Sequence, residues 1–212
     1  MKRINGRFLP GLGRCAGSIE KKKKDPNEVK EDAKPPSPAA MAVRLKFSMV
    51  THFLAKASSL IKFGYKKKIK NYASAMNIAV KETLRDAVLG KFPNFSINYA
   101  KVVLSKDGYL DEPWNVNIRP VGSTGIRITW EIIMYPRPES YVEDLAMVFL
   151  YCEQTDQGVT VEGVAKRKDL GVTLKLDPGF AGYQFHVWFF FMAENKKNVS
   201  SSLYLGEIKL VK

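Results

Sequence analysis

Two histidines, His52 and His186, are where general acid–base or metal chemistry would have to start in this chain. A metal site needs three or four convergent ligands. Neither histidine has a Cys, Asp or Glu neighbour at ligand spacing, so no metal is expected. His52 falls among Ser48, Thr51 and Lys56 in a helical pattern, which suits a helix surface. His186 alternates with Phe185 and Val187 in a strand pattern. No nucleophile elbow, phosphate loop or zinc-protease helix is present. Gly11-Leu12-Gly13-Arg14-Cys15-Ala16-Gly17 imitates a dinucleotide fingerprint. Its spacing is off by one and no strand precedes it, so it reads as a flexible segment. Asp107, Asp111 and Glu112 share a loop and offer the oxygen ligands calcium takes, but exposed loop carboxylates ordinarily hold no ion. The expectation is a protein that is not an enzyme, with no cofactor and no catalytic residue.

Charge is the stronger signal. The chain of 212 residues carries a net charge of +13. Residues 1–90 hold 20 Lys and Arg against 7 Asp and Glu, whereas 91–212 hold 14 of each. The two parts are therefore expected to face different surroundings. Lys21, Lys22, Lys23 and Lys24 form a run. Lys62, Lys66 and Lys70 recur every four residues, with Lys67 and Lys68 beside them. Cations at a helix N-terminus oppose the macrodipole at ~0.3–1 kcal/mol each, and a local penalty of that kind marks a partner. The alternative is a solvated lysine face that aids solubility. Polybasic segments bind nucleic-acid phosphates, anionic membranes or acidic proteins by the same physics. Only Phe63, Tyr65 and Tyr72 lie near the patch. Nucleic-acid contact through residues 1–90 would thus be backbone-directed and weakly specific.

These residues must be positioned by elements the pattern reveals. Residues 1–37 read as a flexible basic arm, since between Glu20 and Ser37 there is too little apolar content to offset chain entropy. Ser37 is a good N-cap and Pro38 suits the first helical position. Val43, Phe47, Val50, Leu54, Ala57 and Ile61 then mark one face of a helix over 38–64, with Gly64 as its stop. Ile69, Ala73, Met76, Val80, Leu84 and Ala87 predict a second helix over 66–89, ended by Gly90 and Pro93. The short link makes an antiparallel helical hairpin over 38–90. Beyond it the period becomes two. Eight strands are expected, near 95–105, 115–121, 126–133, 145–152, 159–166, 171–176, 183–193 and 202–211, with turn residues between them. Evenly spaced short strands predict an antiparallel β-sandwich over 91–212.

The strands differ in a telling way. Over 126–132, Ile126, Ile128, Trp130 and Ile132 alternate with polar residues, giving one wet face. Over 145–152 and 183–192 both faces are apolar, with Trp188, Phe190 and Met192 on the second face. A sandwich sheet needs only one dry face, so something must cover the other. The helical hairpin is the expected cover. The alternative is that Trp188, Phe190 and Met192 form an interface with another protein or subunit.

Several stretches resemble a family of uncharacterised proteins common in Bacteroidota. They are Gly64-Tyr65-Lys66-Lys67-Lys68, Tyr72, Ala75-Met76-Asn77, and the run from Gly90 through Pro93 to Tyr99. Lys101-Val102-Val103-Leu104-Ser105, Asp177-Pro178-Gly179-Phe180-Ala181-Gly182, His186-Val187 and the run from Ser200 to Gly206 complete the likeness. The family implies no activity. Its members begin with a Gly-rich segment, matched by Phe8 to Ile19, and then a tryptophan that is missing here. The β part separately resembles a fibronectin type III domain, with Trp130 where that fold has its core tryptophan. That likeness implies a binding or spacer scaffold.

The expected fold is α+β: a helical hairpin packed on a C-terminal fibronectin III/immunoglobulin-like sandwich, with a basic arm. The expected role is a non-catalytic structural or interaction protein, a component of a larger assembly. It would dock on an anionic partner through the arm and the helical lysines. The alternative is a weakly sequence-specific nucleic-acid-binding protein. No apolar run reaches the ~20 residues of a membrane span. Gly6, Pro10, Gly11, Gly13 and Arg14 break up the start, so no secretory signal is expected and a cytoplasmic location is the default. Cys15 and Cys152 are too few for a disulfide framework.

Overall fold

The computed structural model describes residues 35–66, 74–106, 108–137 and 140–212. The expected arm falls almost wholly outside them, with Lys21, Lys22, Lys23 and Lys24 and the glycine segment 11–17. Lys67, Lys68, Lys70 and Asp107 also lie outside the described residues.

Ser37 begins the first helix as its type suggests. Its Oγ accepts from the Ala40 N–H at 3.3 Å, and Pro38 takes the first helical position. The single helix expected over 38–64 is two, α1 (Pro38–Ala55) and α2 (Ser58–Gly64). Between them the bonds tighten, with Lys56 N–H donating to Phe53 O at 3.1 Å and Ala57 N–H to Leu54 O at 3.0 Å. At the break the chain lies close against the strand residue Gly158, where a Cβ would meet Lys56 Cβ at 2.8 Å. Beyond it Ala57, Leu60 and Ile61 are buried.

Helix α3 (Ala75–Asp86) is capped by Ser74, whose side chain accepts from Asn77 N–H at 3.1 Å. It ends at Asp86, short of the expected 89. The chain turns instead into β1 (Val88–Lys91), which pairs antiparallel with β2 (Asn94–Ile97). Gly90 is part of that hairpin rather than a helix stop. Its φ is +91°, and a Cβ there would lie 2.2 Å from Asn94 O, so only glycine fits.

The strand expected over 95–105 stops at Ile97 for the same reason. A 3₁₀ turn, Tyr99–Lys101, follows, then irregular chain. Val102 and Leu104 are still buried, so the apolar pattern was a true burial signal. Their backbone groups bond to side chains instead of a ladder: Trp188 Nε1 donates to Val102 O at 3.1 Å, and Leu104 N–H donates to Ser202 Oγ at 2.9 Å.

The remaining seven strands match expectation closely. They are β3 (Trp114–Val121), β4 (Gly125–Glu131), β5 (Leu145–Cys152), β6 (Gln157–Lys166), β7 (Gly171–Lys175), β8 (Gln184–Met192) and β9 (Leu203–Lys209). They form two antiparallel sheets, ordered β3-β4-β7 and β6-β5-β8-β9. That is a fibronectin III/immunoglobulin-like sandwich. Ile126, Ile128 and Trp130 of β4 point inward to Ala146, Val148, Leu150, Val187, Phe189 and Phe191.

The other face of the four-stranded sheet is covered by the helices. Val50, Phe53, Leu54, Ala57, Leu60 and Ile61 pack with Met147, Phe149, Tyr151, Trp188, Phe190 and Met192 in one cluster. The architecture is three layers: helices, sheet, sheet. Trp188, Phe190 and Met192 are no more than 2% exposed, and this chain's own helices occupy the face they form. No helix among the described residues is long and apolar enough to cross a membrane.

Candidate functional site

Basic residues and motif residues meet at the end of α2. That helix ends where a neighbouring segment leaves no room for a side chain. A Cβ on Gly64 would lie 2.2 Å from Leu104 O and 2.7 Å from Ser105 Cα. Lys106 N–H donates to Gly64 O at 3.1 Å. The segment 104–106 is itself held by serines ahead of β9. Ser202 Oγ accepts from Leu104 N–H (2.9 Å) and Ser105 N–H (3.2 Å), and Ser105 Oγ donates to Ser200 O at 2.6 Å. Ser200 Oγ accepts from Phe191 N–H at 2.9 Å. Small hydroxyls satisfy backbone groups that have no ladder partner and cost little volume. Gly64, Leu104-Ser105 and Ser200 to Ser202 came from separate motif stretches. Together they build one joint between helices and sandwich.

Tyr65 reinforces the joint. Its buried hydroxyl lies 3.0 Å from Glu82 Oε2 on α3 and 3.1 Å from Val103 O. Burial, with the Glu82 carboxylate adding to it, pushes this hydroxyl above its ordinary 10. It stays a proton donor. Lys106 Nζ meets the same carboxylate at 2.9 Å.

Lys62 and Lys66 are the two expected patch lysines that are described, and both are exposed. Lys62 is on the last turn of α2, and Lys66 lies just past its end. The macrodipole favours cations there, so the expected penalty does not apply to these two. The structure adds a second source of charge. Lys66 Nζ donates to Lys196 O at 3.4 Å across 130 positions of sequence. That brings in the β8–β9 turn, where Lys196 (φ +56°) is followed by Lys197. Lys196 Nζ lies 5.9 Å from the Phe63 ring centroid. None of these four lysines has an ion pair among the described residues. Sequence reasoning missed Lys196 and Lys197 because it grouped charge by position along the chain.

It also missed partners of both histidines. His52 Nε2 lies 2.6 Å from Asp156 Oδ2, while Lys56 Nζ (2.9 Å) and the Tyr151 hydroxyl (2.9 Å) share Oδ1. These three contacts, His52 first, hold the Asp156 carboxyl well below the usual carboxylate range. The cluster ties α1 to the β5–β6 turn. His186 is buried, with Nδ1 2.8 Å from the Tyr204 hydroxyl and 3.6 Å from Glu207 Oε1. Its ring lies 4.1 Å from that of Tyr99. Burial lowers its pKa from 6.5. Strand register puts Tyr151, His186 and Glu207 in one row across the sheet. Among the described residues no Ser, Thr or Cys bonds to either imidazole. The arrangement is built to tie elements together.

Asp111, read as an exposed loop carboxylate, is buried. Its Oδ2 accepts from Arg137 N–H at 2.8 Å, and its Oδ1 lies 3.4 Å from Arg137 Nε. Glu112 is exposed. Among the described residues no group of three His, Cys, Asp or Glu is placed to hold a metal ion.

The fold defines an immunoglobulin-type sandwich carrying a helical layer on its four-stranded sheet. A model described as "Family of unknown function (DUF6266)" matches residues 12–206, and the chain belongs to that family. About half the chain is similar in structure to single fibronectin domains. The fn3 domain of human contactin 1 is 12% identical, covering 50% of this chain and 82% of that one at a TM-score of 0.36. The FN5 domain of Drosophila Lar is 13% identical, covering 47% and 95%, at 0.33. The fn3 domain of the human collagen alpha-1(XX) chain is 17% identical, covering 51% and 88%, at 0.35. The strand order, not these low scores, defines the class. No curated protein matches the chain.

Proposed function

We propose that this is a non-catalytic interaction protein, a component of a larger assembly, which docks on an anionic partner at the end of α2. One observation supports this: Lys66 Nζ reaches the Lys196 carbonyl, which brings the Lys196-Lys197 turn to the end of α2, where Lys62 stands on the last turn. Like charges held close repel one another, and an anionic partner relieves that repulsion. The sandwich serves as the rigid support, and the rigid joint fixes where the lysines stand. In this reading Lys67, Lys68, Lys70 and the lysines at 21–24 add to the same charge. The division of labour is an arm at 1–37, a helical part at 38–90 and a sandwich at 91–212.

The test is binding of the full chain to labelled polyglutamate and to a labelled DNA duplex across a salt series. Polyglutamate should bind, and the variant K62E/K66E/K196E/K197E should lose that binding with an unchanged melting profile. Unchanged binding by the variant would sink the proposal. Preferential DNA binding that weakens by ~10³–10⁵ between about 50 and 200 mM salt would establish the alternative, a weakly specific nucleic-acid-binding protein.

A further inference from the structure

Helix α1 is buried over only half its length. Val50, Phe53 and Leu54 are in the core. Ahead of them Met41, Val43, Leu45 and Phe47 are all exposed, Val43 to 68% and Phe47 to 53%. Val43 and Phe47 continue the Val50–Leu54 stripe at helical spacing. They are core-type positions that no part of the described chain covers. A lone exposed apolar side chain needs no explanation, but a cluster on one helix does.

The space beside them is concave. Helix α3 runs alongside α1, and Phe47, Asn77, Val80, Lys81, Leu84 and Arg85 line an open groove of about 450 Å³. The α3 members recur at helical spacing, so one face of α3 forms a wall. The charged side chains that line the groove, Lys81 and Arg85, are both basic. No Asp or Glu occurs between Lys34 and Lys81, while Arg44 and Lys46 lie within the exposed part of α1. Asp86 meets Arg85 at 2.6 Å. Arg44 and Lys81 have no ion pair among the described residues.

We propose that this groove takes an amphipathic helix from an acidic partner protein. Its apolar stripe would sit on Val43, Phe47, Val80 and Leu84, and its Asp and Glu flanks would face Arg44 and Lys81. A helix laid in the groove between two others completes a three-helix packing. Concavity favours a helix over a flat bilayer. The apolar floor offers nothing to a phosphate backbone. A second copy is disfavoured, because an isologous pair would bring together the Arg44 and Lys81 charges of both copies. This surface is separate from the α2 end, and the inference stands whether or not that end binds.

The experiment uses the full chain and two synthetic helical peptides of about 20 residues, ~30 Å long. Both carry one leucine stripe; one has glutamate flanks and the other lysine flanks. Anisotropy should show the glutamate peptide binding roughly tenfold more tightly, the effect of a few exposed ion pairs. V43S/F47S should abolish binding, and R44E/K81E should reverse the preference. K62E/K66E should leave it intact, separating this surface from the α2 end. R44E/K81E alters no packed side chain, so the test survives if V43S/F47S misfolds. Equal affinity for the two peptides, or no glutamate-peptide binding, overturns the proposal. So does a wild-type dimer that V43S/F47S dissociates, which would make a second copy the occupant. Binding to vesicles of anionic lipid that V43S/F47S removes would overturn it in favour of a membrane surface.

Discussion

On one face of the β6-β5-β8-β9 sheet, Val148, Leu150, Val187 and Phe189 meet Ile126, Ile128 and Trp130 of the second sheet. On the other, Met147, Phe149, Trp188 and Phe190 meet the helices. The inner face is mostly hydrocarbon, with the Trp130 indole N–H donating to Arg167 O at 2.8 Å and one buried ion pair at its edge. Arg167 Nη2 lies 3.1 Å from Asp144 Oδ2, and the guanidinium stacks 3.8 Å from the Phe191 ring centroid. The outer face is aromatic with polar tips. Trp188, Tyr65, Tyr151, His186 and Tyr204 all pack there and all find hydrogen-bond partners. Hydrocarbon packing is non-directional and would let the helices slide. Directional bonds from aromatic residues fix where they dock. The motif residues Gly64, Tyr99, Leu104, Ser105 and Ser200 to Ser202 all serve the outer face. The specific feature of this chain is the joint, not the sandwich.

Trp188→Asp should have the largest effect. It puts an unpaired charge at a fully buried site and removes the bond to Val102. A cost above ~4 kcal/mol is expected, a large share of the ~5–15 kcal/mol that holds an ordinary domain folded. Circular dichroism would show one lost transition. If the sandwich melted normally with only helix signal gone, the two faces would be independent. If only an oligomer dissociated and melting were intact, the helical cover would be wrong.

The inner face offers a sharper contrast at Arg167. Truncation to Ala strands Asp144, which is 1% exposed, and should cost ~3–5 kcal/mol. Replacing the pair together, as D144L/R167M, should be nearly neutral, because desolvation of both charges offsets their attraction. Burial already pushes the Asp144 carboxyl up and the Arg167 guanidinium down. Urea melts of the three proteins decide it. A double variant as unstable as R167A would show that the pair itself stabilises the face.

Ser202→Ala tests the joint at lower amplitude. It leaves the Leu104 and Ser105 N–H groups without their acceptor. A loss of ~1–3 kcal/mol is expected. No loss would mean that water replaces the hydroxyl and that the joint is held by packing alone.

The inner face was legible in the sequence, and the joint was not. Period-two alternation in β4 and doubly apolar β5 and β8 follow from local geometry, so the sheets and the need for a helical cover could be read directly. The Ser37 cap is equally local. The break at Lys56 and Ala57 coincides with a close approach to Gly158, a hundred residues away in sequence. Gly90 looked like a helix stop because both roles demand φ > 0, and only pairing with Asn94–Ile97 distinguishes them. Residues 98–106 alternate as a strand does, yet lie in a crevice where Trp188 and Ser202 replace the ladder. The patch on α2 was half visible, since Lys196 and Lys197 arrive by strand topology. Similarly, the α1 stripe announced a buried face without showing that Val43 and Phe47 would lack a cover.

The smallest effect expected is in acid, and it separates the faces by sign. Burial holds His186 below its ordinary 6.5, with Glu207 and Glu153 pulling the other way without prevailing. The folded state therefore binds a neutral ring, and the unfolded chain takes up the proton first as pH falls. This contribution is complete above 6.5 and is lost as pH drops through the lower folded value. Asp156 behaves alike at lower pH. Its depressed carboxyl stabilises the fold above 3.8 and stops doing so as it protonates. With its side chain half exposed, that contribution is only ~0–1 kcal/mol. Asp144 on the inner face is raised instead, so protonation there favours the folded state and works against the other two. Thermal melts from pH 7.5 to 5.5 should thus show a falling Tm in the native protein. The slope should flatten in H186Q, which keeps a polar group near Tyr204 but cannot titrate. Asp156 is silent over that range because its carboxyl is held below 3.8, and any contribution from the raised Asp144 is common to both proteins and cancels in the comparison. An unchanged slope in H186Q would place the acid sensitivity elsewhere. It would also mean that the imidazole is solvated enough to titrate alike in both states, leaving the outer face as indifferent to mild acid as the inner one.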